Sequence, residues 1–374
     1  MASISNMVYK LLKYVIWQYA KFREKISPGW IARNSSKIKE WELMAYAFTR
    51  SKIGLTGGII VFINTVLAII GPIIAWEPYW DYKIIEDPNL KYALPCIPPM
   101  CNGKPLLGTD DWGRDILAMS LYGFRISYII SVVVVLLGAP IGIILGLIAG
   151  YKGGIVDEIL MRITDIFLAF PGLVLAIAFA SVLPYRIRVL LEEYPAVKTV
   201  LSMLFGLREQ EYGQLAALIS IWFAMVIVWW PGYARIIRGS VLSVREMPFI
   251  EAAKLSGLST WKILFKHILP NVISPVIVMM TFDLATATLF AASLSFLGLG
   301  PQEPVPELGF MISKAGWFFP ERSWHVVLFL GIVLLIIALG WNLLGDALRD
   351  ILDPRTRRAI EFREGKERGG AKRK

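Results

Sequence analysis

The chain has 374 residues, of which 56% are hydrophobic and only 18% are charged, and its formal net charge is +10. Soluble domains of ordinary composition carry about a quarter charged residues, so this composition argues against a water-soluble globular protein. Six apolar stretches are long enough to cross a hydrocarbon core, which needs roughly 20 residues of helix. Because lipid offers the backbone no hydrogen-bond partners, we expect helices and an all-α integral membrane protein.

Taken in chain order, the sequence predicts an N-terminal segment, 1–52, that begins with Tyr, Trp, Leu and Ile interspersed with Lys and Arg. This make-up is typical of a helix on an anionic inner leaflet and equally compatible with a cytoplasmic helix packed against a partner. A first transmembrane helix at 53–75 precedes an outer loop at 76–125. A transmembrane core at 126–345 and a basic tail at 346–374 follow. The predicted spans are 53–75, 126–150, 163–183, 214–234, 268–297 and 324–345.

The positions of Lys and Arg indicate the orientation. With both termini in the cytoplasm, most of the 39 Lys and Arg residues fall in the N-terminal segment, the 151–162 and 234–267 loops and the C-terminal tail. The outer loops then carry a net negative charge. This asymmetry follows the positive-inside rule, so we expect a multi-pass protein of the plasma membrane with both termini cytoplasmic. The basic charge is thereby explained without nucleic acid as a partner.

The two cysteines, Cys96 and Cys101, both lie in the first outer loop. A disulfide can persist outside the cell, and the spacing in CIPPMC is compatible with a small bridged loop or with two free thiols. We expect no metal site, because no His or further Cys lies nearby.

The sequence has no motif for chemistry of its own. A Gly-x-x-x-x-Gly-Lys-Ser/Thr phosphate loop, a nucleophile elbow and a His-Glu-x-x-His pair are all absent, so we expect no catalytic residue. Asp165 and Asp283 are the acidic residues inside the predicted spans. A carboxylate at membrane depth usually faces a bundle interior or a water-filled path. Each is therefore either a pathway residue or the partner of a basic or backbone group, and Arg162 is a candidate partner of Asp165.

The 234–267 loop contains a polar, helix-forming stretch that begins EAAKLSGLST at Glu251. Pro248 suits the first turn of a helix, where Glu251 is favourable for the helix dipole. Gly257 can adopt the left-handed conformation that ends a helix. Ser259 can then cap a second short helix over about 260–267. The pattern predicts a helix–turn–helix elbow under the membrane, with Pro270 starting the fifth span and a small-residue surface at Ala252, Ala253 and Leu258.

The elbow sequence resembles the EAA loop of permease subunits in binding-protein-dependent ABC importers. The matching residues are Glu251, Ala252, Ala253, Gly257, Ile268, Leu269 and Pro270. Three further stretches, LGTDDWGRD at 107–115, SLSFLGLG at 293–300 and GDALRDILDPR at 345–355, resemble signatures of the dipeptide/oligopeptide/nickel permeases, specifically their C-type subunit. The resemblance runs from about 53 to 355.

This resemblance implies a type I ABC importer permease bundle, MetI-like, with six transmembrane helices and a cytoplasmic coupling helix. The residues implied to contact the ATPase are Glu251, Ala252, Ala253, Lys254, Gly257 and Leu258. The implied partners are a second, B-type permease subunit, two ABC ATPase subunits that hold ATP and Mg, and an extracytoplasmic solute-binding protein. The chain itself needs no cofactor. Di- or oligopeptides are the favoured cargo, with oligosaccharides and nickel as alternatives.

Two departures from the family pattern leave the cargo open. The chain has Ala291 before SLSFLGLG, where the family often has Glu, and the outer segment 184–213 is longer than usual, with the apolar spacing of an amphipathic helix. Two functions of other classes remain as alternatives. A stand-alone secondary transporter needs more ionisable residues in its spans, and a membrane-embedded enzyme needs a cluster of His, Asp or Ser at one depth.

Overall fold

The computed structural model describes residues 2–85, 87–95, 105–208, 211–318 and 321–352. No strand occurs among these residues, and the all-α expectation is confirmed. The α-helices in chain order are α1 Ala2–Ile26, α2 Trp30–Arg33, α3 Ser35–Arg50, α4 Lys52–Ile74, α5 Ile116–Lys152, α6 Gly154–Ala169, α7 Gly172–Glu193, α8 Pro195–Phe205, α9 Tyr212–Val244, α10 Pro248–Leu255, α11 Thr260–Lys262, α12 Leu269–Val272, α13 Ser274–Phe296, α14 Leu308–Phe318 and α15 Trp324–Leu352.

Six helices in the described ranges are long and apolar enough to cross a membrane. They are α4, α5, α7, α9, α13 and α15. Their number and order agree with the six spans expected from the sequence, although several boundaries differ.

The third span starts later than the sequence suggests. The predicted stretch 163–183 is divided, because α6 ends at Ala169 and α7 begins at Gly172. A proline disfavours helical backbone in the residue before it, and Phe170, which precedes Pro171, is extended with φ −84° and ψ 141°. Asp165 therefore lies on the separate helix α6 and not inside the third span.

Three other spans are longer than predicted, and one of them, α15, continues to Leu352, past the predicted end at 345. Helix α5 begins at Ile116, inside the predicted outer loop 76–125, where the Asp115 carboxylate accepts the Leu117 N–H at 2.8 Å and caps the helix. Helix α9 continues to Val244, well into the predicted loop 234–267. The predicted boundaries of these spans were wrong because polar residues lie near the helix ends. A hydropathy pattern does not show which polar groups have hydrogen-bond or ion-pair partners inside a helix bundle.

The fifth span begins later than predicted. A π-helical turn, Ile263–Ile268, follows α11, and α12 and α13 come after it. Pro270 lies inside α12, so the prediction that it starts the span is wrong; α13 starts at Ser274 and has Pro275 in its first turn. Helix α13 ends at Phe296, so the first four residues of SLSFLGLG are helical and the last four follow the helix.

The outer segment 184–213 contains two helical pieces. Helix α7 passes through Pro184 and ends at Glu193, and α8 follows as a shorter apolar helix that ends at the left-handed Gly206. The segment is thus helical over most of its described length.

The described residues form two compact units. The first contains the described residues up to Val61 and from Gly340 onward, and the second contains those of Phe62–Leu339. In the first unit, α1 packs on α3: the Ser5 hydroxyl donates to the Thr49 carbonyl at 2.6 Å.

The second unit is organised around the contact between α5 and α9. Gly142, Gly146 and Gly150 occur at four-residue spacing on the face of α5 that meets α9. A Cβ at Gly142 would lie 2.3 Å from the Trp230 carbonyl oxygen, and a Cβ at Gly146 would lie 2.5 Å from that of Ala234. Small residues allow this close backbone approach, which is how helices commonly associate in membranes.

Candidate functional site

The elbow predicted in the 234–267 loop is present as helix α10. Its buried face carries Ile250 and Ala253, which pack into the hydrophobic cluster at this end of the second unit. The prediction that Ala253 belongs to an exposed small-residue surface is therefore wrong, because it lies on the side of α10 that packs against the bundle. Its opposite face exposes Glu251, Ala252 and Leu255, and the Leu255 side chain is 90% exposed. An apolar side chain so fully exposed on a rigid helix is the kind of group that a partner surface buries.

The end of α10 has the hydrogen bonds of a Schellman motif. Gly257 has φ +69°. Its N–H donates to the Lys254 carbonyl at 3.0 Å, and the Leu258 N–H donates to the Ala253 carbonyl at 3.4 Å. This is the left-handed ending expected at Gly257, and it needs a residue that accepts positive φ. The turn fixes the angle between α10 and the helical segment that begins at Thr260.

The second arm of the elbow differs from the prediction in two respects. Ser259 occupies the N-cap position with extended backbone, but its side chain makes no capping hydrogen bond, so that prediction is wrong. The arm also does not end at His267, because the helical path continues through the π-helical turn into α12. On its outer side Trp261 and Phe265 stack with ring centroids 5.7 Å apart, and both are exposed.

The elbow is attached to α5 as well as to its two flanking spans. The Lys254 ammonium lies over the Tyr151 ring, 5.5 Å from its centroid, and the Arg245 guanidinium donates to the Gly150 carbonyl at 2.9 Å. A cavity of about 360 Å³ lies beside these contacts and is lined by Ile148, Lys152, Thr260, Trp261 and Leu264. The sequence pattern gave no indication of this attachment, because the residues of α5 are about a hundred positions away in the chain.

Asp165 and Asp283, the two candidate pathway residues, are not brought together. Asp165 forms an ion pair with Arg235 of α9, and both side chains are more than half exposed. The predicted pairing with Arg162 is wrong; Arg162 lies instead 3.9 Å from Glu158, one turn earlier on α6. Asp165 is thus part of a surface contact between α6 and α9.

A second ion pair between α6 and α9 was missed in the sequence. The Arg238 guanidinium donates through Nε and Nη2 to the two carboxylate oxygens of Asp157, each at 2.7 Å. This bidentate geometry is the strong form of the interaction, and the hydrogen bonds from Arg238 lower the pKa of Asp157. The three-residue spacing of Arg235 and Arg238 was the available signal, since it places both on one face of a helix.

Asp283 lies within α13 and faces Tyr233 and Trp229 of α9. Its Oδ2 atom and the Tyr233 hydroxyl are both buried, and neither has a hydrogen-bond partner within the part of the chain that the structure describes. Burying a polar group without such a partner is costly. The arrangement therefore places one buried carboxyl oxygen of Asp283 beside two aromatic side chains in the bundle.

The loops before α5 and before α14, which the sequence predicts to be outer loops, are joined by one buried arginine. Arg114, 2% exposed, donates to the Asp110 carboxylate at 2.7 Å. It also donates to the Tyr79 carbonyl at 2.8 Å and to the Pro304 carbonyl at 3.0 Å. Asp110 and Arg114 belong to LGTDDWGRD, so that signature forms a structural link between the loops. The possible disulfide partners, Cys96 and Cys101, lie outside the described residues.

No group of three or more His, Cys, Asp or Glu residues that could hold a metal occurs within the described ranges. The site thus consists of an exposed helix face, a rigid turn and attachments to three spans. These features suit mechanical contact with another protein.

The comparisons with known proteins agree with this geometry. Residues 142–358 match the family described as "Binding-protein-dependent transport system inner membrane component". The dipeptide transport system permease protein DppC of Alkalihalophilus pseudofirmus is 35% identical over 318 residues, or 85% of this chain and 91% of the relative. DppC of Haemophilus influenzae is 35% identical over 83% of this chain and 93% of the relative. The glutathione transport system permease protein GsiD of Pectobacterium atrosepticum is 33% identical over 87% of this chain and 94% of the relative.

The matched region contains the elbow, α6 and its two arginine partners, and five of the six spans begin or continue within it. The relatives extend the likeness over most of the chain. The chain belongs to the family of binding-protein-dependent transport system inner membrane components, and within it to the permease subunits of ABC importers, which are transporter subunits and not enzymes.

Proposed function

We propose that this subunit forms, with a second permease of the B type, a path for di- and oligopeptides delivered by a solute-binding protein. The names of the relatives, which refer to dipeptide and glutathione transport, support peptides as the cargo. Oligosaccharides and nickel, the alternatives raised by the sequence, are outcomes of the experiment below.

The observation that carries the mechanism is the exposed face of α10. One side of this helix is fixed to the bundle by Ile250 and Ala253, while Glu251, Ala252 and Leu255 face solvent. In the proposed assembly this face occupies a groove of an ATPase subunit, and Lys254, Gly257 and Leu258 maintain its angle. Two such ATPases hold ATP and Mg, and their closure moves the elbow together with α5, α9 and α13.

The proposed orientation places α10 and both termini in the cytoplasm. Its support is the distribution of Lys and Arg along the sequence. The loops joined by Arg114 then face the outside, where a solute-binding protein delivers cargo.

Reconstitution tests the cargo. The chain is co-expressed with its candidate B-type permease, ATPases and binding protein, and uptake into vesicles is measured with a labelled dipeptide, an oligosaccharide and Ni²⁺. We expect ATP-dependent uptake of the dipeptide alone. Uptake of sugar or nickel in its place would overturn the peptide assignment, and uptake by this chain without ATPases would overturn the importer mechanism.

A matched pair of variants tests the docking face. Leu255→Glu places a charge on the exposed face of α10, whereas Ile85→Glu alters a comparably exposed side chain, 79% against 90%, in an outer loop. We expect Leu255→Glu to abolish co-purification of the ATPases and Ile85→Glu to preserve it. Retention of the ATPases by the Leu255 variant would show that another surface makes the contact.

A further inference from the structure

Helix α1 has a second apolar face that α3 does not cover. Tyr9 and Ala20 belong to the face that packs on α3: the Tyr9 ring meets the Tyr46 ring edge-on at 5.9 Å, and Ala20 is fully buried. Another stripe of side chains recurs at four- and three-residue spacing along the whole helix and is more than half exposed. These side chains are Met7, Leu11, Tyr14, Val15, Phe22 and Ile26.

Lysines accompany this stripe. Lys10 and Lys21 flank it on one side, and Lys25 lies in its last turn; all three are exposed. The acidic residue of α1, Glu24, is occupied at the turn into α2, where its carboxylate accepts the Gly29 and Ile31 N–H groups at 2.8 and 2.7 Å. The exposed face is therefore mostly apolar, interrupted by exposed Gln18, and positively charged at its edge and in its last turn.

The start of α1 lies close to the beginning of a span. Ser5 is hydrogen-bonded to the Thr49 carbonyl. Helix α3 ends at Arg50, and the apolar helix α4 begins at Lys52. Ser51 between them is extended, with φ −75° and ψ 117°, so α3 is not a straight continuation of α4. The hairpin of α1 and α3 is thus attached at the start of α4, one of the helices that is long and apolar enough to cross a membrane.

From these observations we infer that α1 lies on the membrane surface, with its exposed stripe in the boundary between headgroups and acyl chains and its lysines on anionic headgroups. A helix with an apolar face and flanking lysines binds such a surface through both contributions. A protein groove would also cover apolar side chains, but the charge at the edge of the stripe and its closeness to α4 favour anionic lipid. The assignment of this helix to the cytoplasmic leaflet rests on the proposed orientation of the chain.

Depth-dependent fluorescence quenching tests this inference on the full chain. Cys96 and Cys101 are replaced by Ser, and a bimane label is placed at Leu11→Cys, with Phe22→Cys as an independent second position. Lys37→Cys on α3, an exposed polar position of the same unit, is the control. The protein is reconstituted in phosphatidylcholine vesicles with and without phosphatidylglycerol, and quenching by brominated lipid is compared with quenching by iodide.

We expect brominated lipid to quench the labels at 11 and 22 at least threefold more than the label at 37. We expect Lys10→Gln, Lys21→Gln and Lys25→Gln together to remove the difference between anionic and neutral vesicles. Equal access of iodide to all three labels would overturn the inference. Protection of the label at 11 only after the other subunits are added would also overturn it, in favour of a protein partner.

The orientation of the chain in the membrane is tested by a separate labelling experiment. If an impermeant thiol reagent added outside intact cells modifies Lys37→Cys, the cytoplasmic assignment fails while the lipid contact stands. If the reagent does not reach that position and the labels at 11 and 22 are nevertheless open to iodide, the orientation stands and the lipid contact fails.

Discussion

The Lys254 ammonium of helix α10 lies 5.5 Å from the centroid of the Tyr151 ring at the end of α5. Cation–π contacts contribute about 0.5–1 kcal/mol at exposed sites, which is a modest share of folding stability. The position of this contact matters more, because it joins a side chain of α10 directly to α5, beside the packing of Ile250 and Ala253 in the shared hydrophobic cluster. The contact gives movement of α10 a direct connection to α5.

Tyr151→Leu should therefore reduce the uptake obtained for each ATP hydrolysed, while the ATPases remain bound. The control is Lys152→Gln, which alters the next residue of α5 without removing the ring. Uptake and ATP hydrolysis measured on the same vesicles give the ratio. An unchanged ratio in the Tyr151 variant would show that this connection carries no force.

Gly257→Val should uncouple ATP hydrolysis from uptake. Gly257 has φ +69°, and a β-branched residue is strained there by about 1–3 kcal/mol, so the turn should open and change the angle of α10. A Cβ at this position would meet no described atom within 4 Å, which leaves the backbone as the cause. Gly239→Ala in α9, where a Cβ also meets open space and φ is helical, is the matched control. Normal transport by the valine variant would contradict the role of the turn.

Asp283→Asn should reduce peptide uptake without loss of assembly. The carboxyl lies beside Tyr233 and Trp229, and its Oδ2 is buried without a hydrogen-bond partner among the described residues, so an amide of the same size removes the ionisable group and leaves the packing in place. Tyr233→Phe, which deletes another unbonded hydroxyl, is the control and should assemble normally. If the Asn variant no longer co-purifies with the second permease, Asp283 has a structural role instead.

The ion pair between Asp157 and Arg238 should make stability depend on acidity. The hydrogen bonds from Arg238 lower the pKa of Asp157 below its ordinary value of 3.8. Such a carboxylate stabilises the fold above that value and loses its contribution as the pH falls through the lowered folded-state pKa. Asp157→Asn should cost about 1–2 kcal/mol at neutral pH and flatten the acid limb of a melting-temperature profile. Glu158→Gln, whose partner Arg162 is 3.9 Å away on an exposed surface, should leave the profile unchanged.

Glu307, in the loop before α14, should have the opposite dependence. Its carboxyl is fully buried and accepts the Phe310 N–H at 2.9 Å and the Ser127 hydroxyl at 3.2 Å. Burial raises its pKa, so its stabilising contribution is present at low pH and is lost as the pH rises through the folded-state pKa.

Glu307→Gln keeps an acceptor without the charge and should melt no lower than the unmodified chain, with a difference that grows as the pH rises above the ordinary glutamate pKa of 4.5. Glu307→Ala, which leaves the Phe310 N–H unsatisfied, should cost about 1–3 kcal/mol. A Gln variant that melts lower at every pH would indicate that the ionised form is required.

The sequence was sufficient for the parts of the fold that depend on local chemistry. Length and hydropathy predict six spans, and the glycine at 257 predicts a left-handed turn. The break at Phe170 and Pro171 was visible as a proline, but a helix in a membrane often tolerates proline, so composition could not place the end of α6.

Pairings across the bundle could not be predicted. Arg162 and Asp165 are close in sequence, but Asp165 pairs with Arg235 and Arg162 with Glu158. The contact of Lys254 with Tyr151 likewise joins residues that are far apart in the sequence. Each depends on how α5, α6 and α9 lie beside one another, which is a property of tertiary packing and not of residue order.

The glycine spacing on α5 limits where a solute can travel. Because a Cβ at Gly142 or Gly146 would fall within 2.5 Å of a carbonyl oxygen of α9, even a methyl group finds no room along that seam. A transported solute cannot pass between the backbones of α5 and α9. A translocation path for cargo must therefore follow other faces of α5 and α9. We expect the two helices to move as one rigid body during the transport cycle.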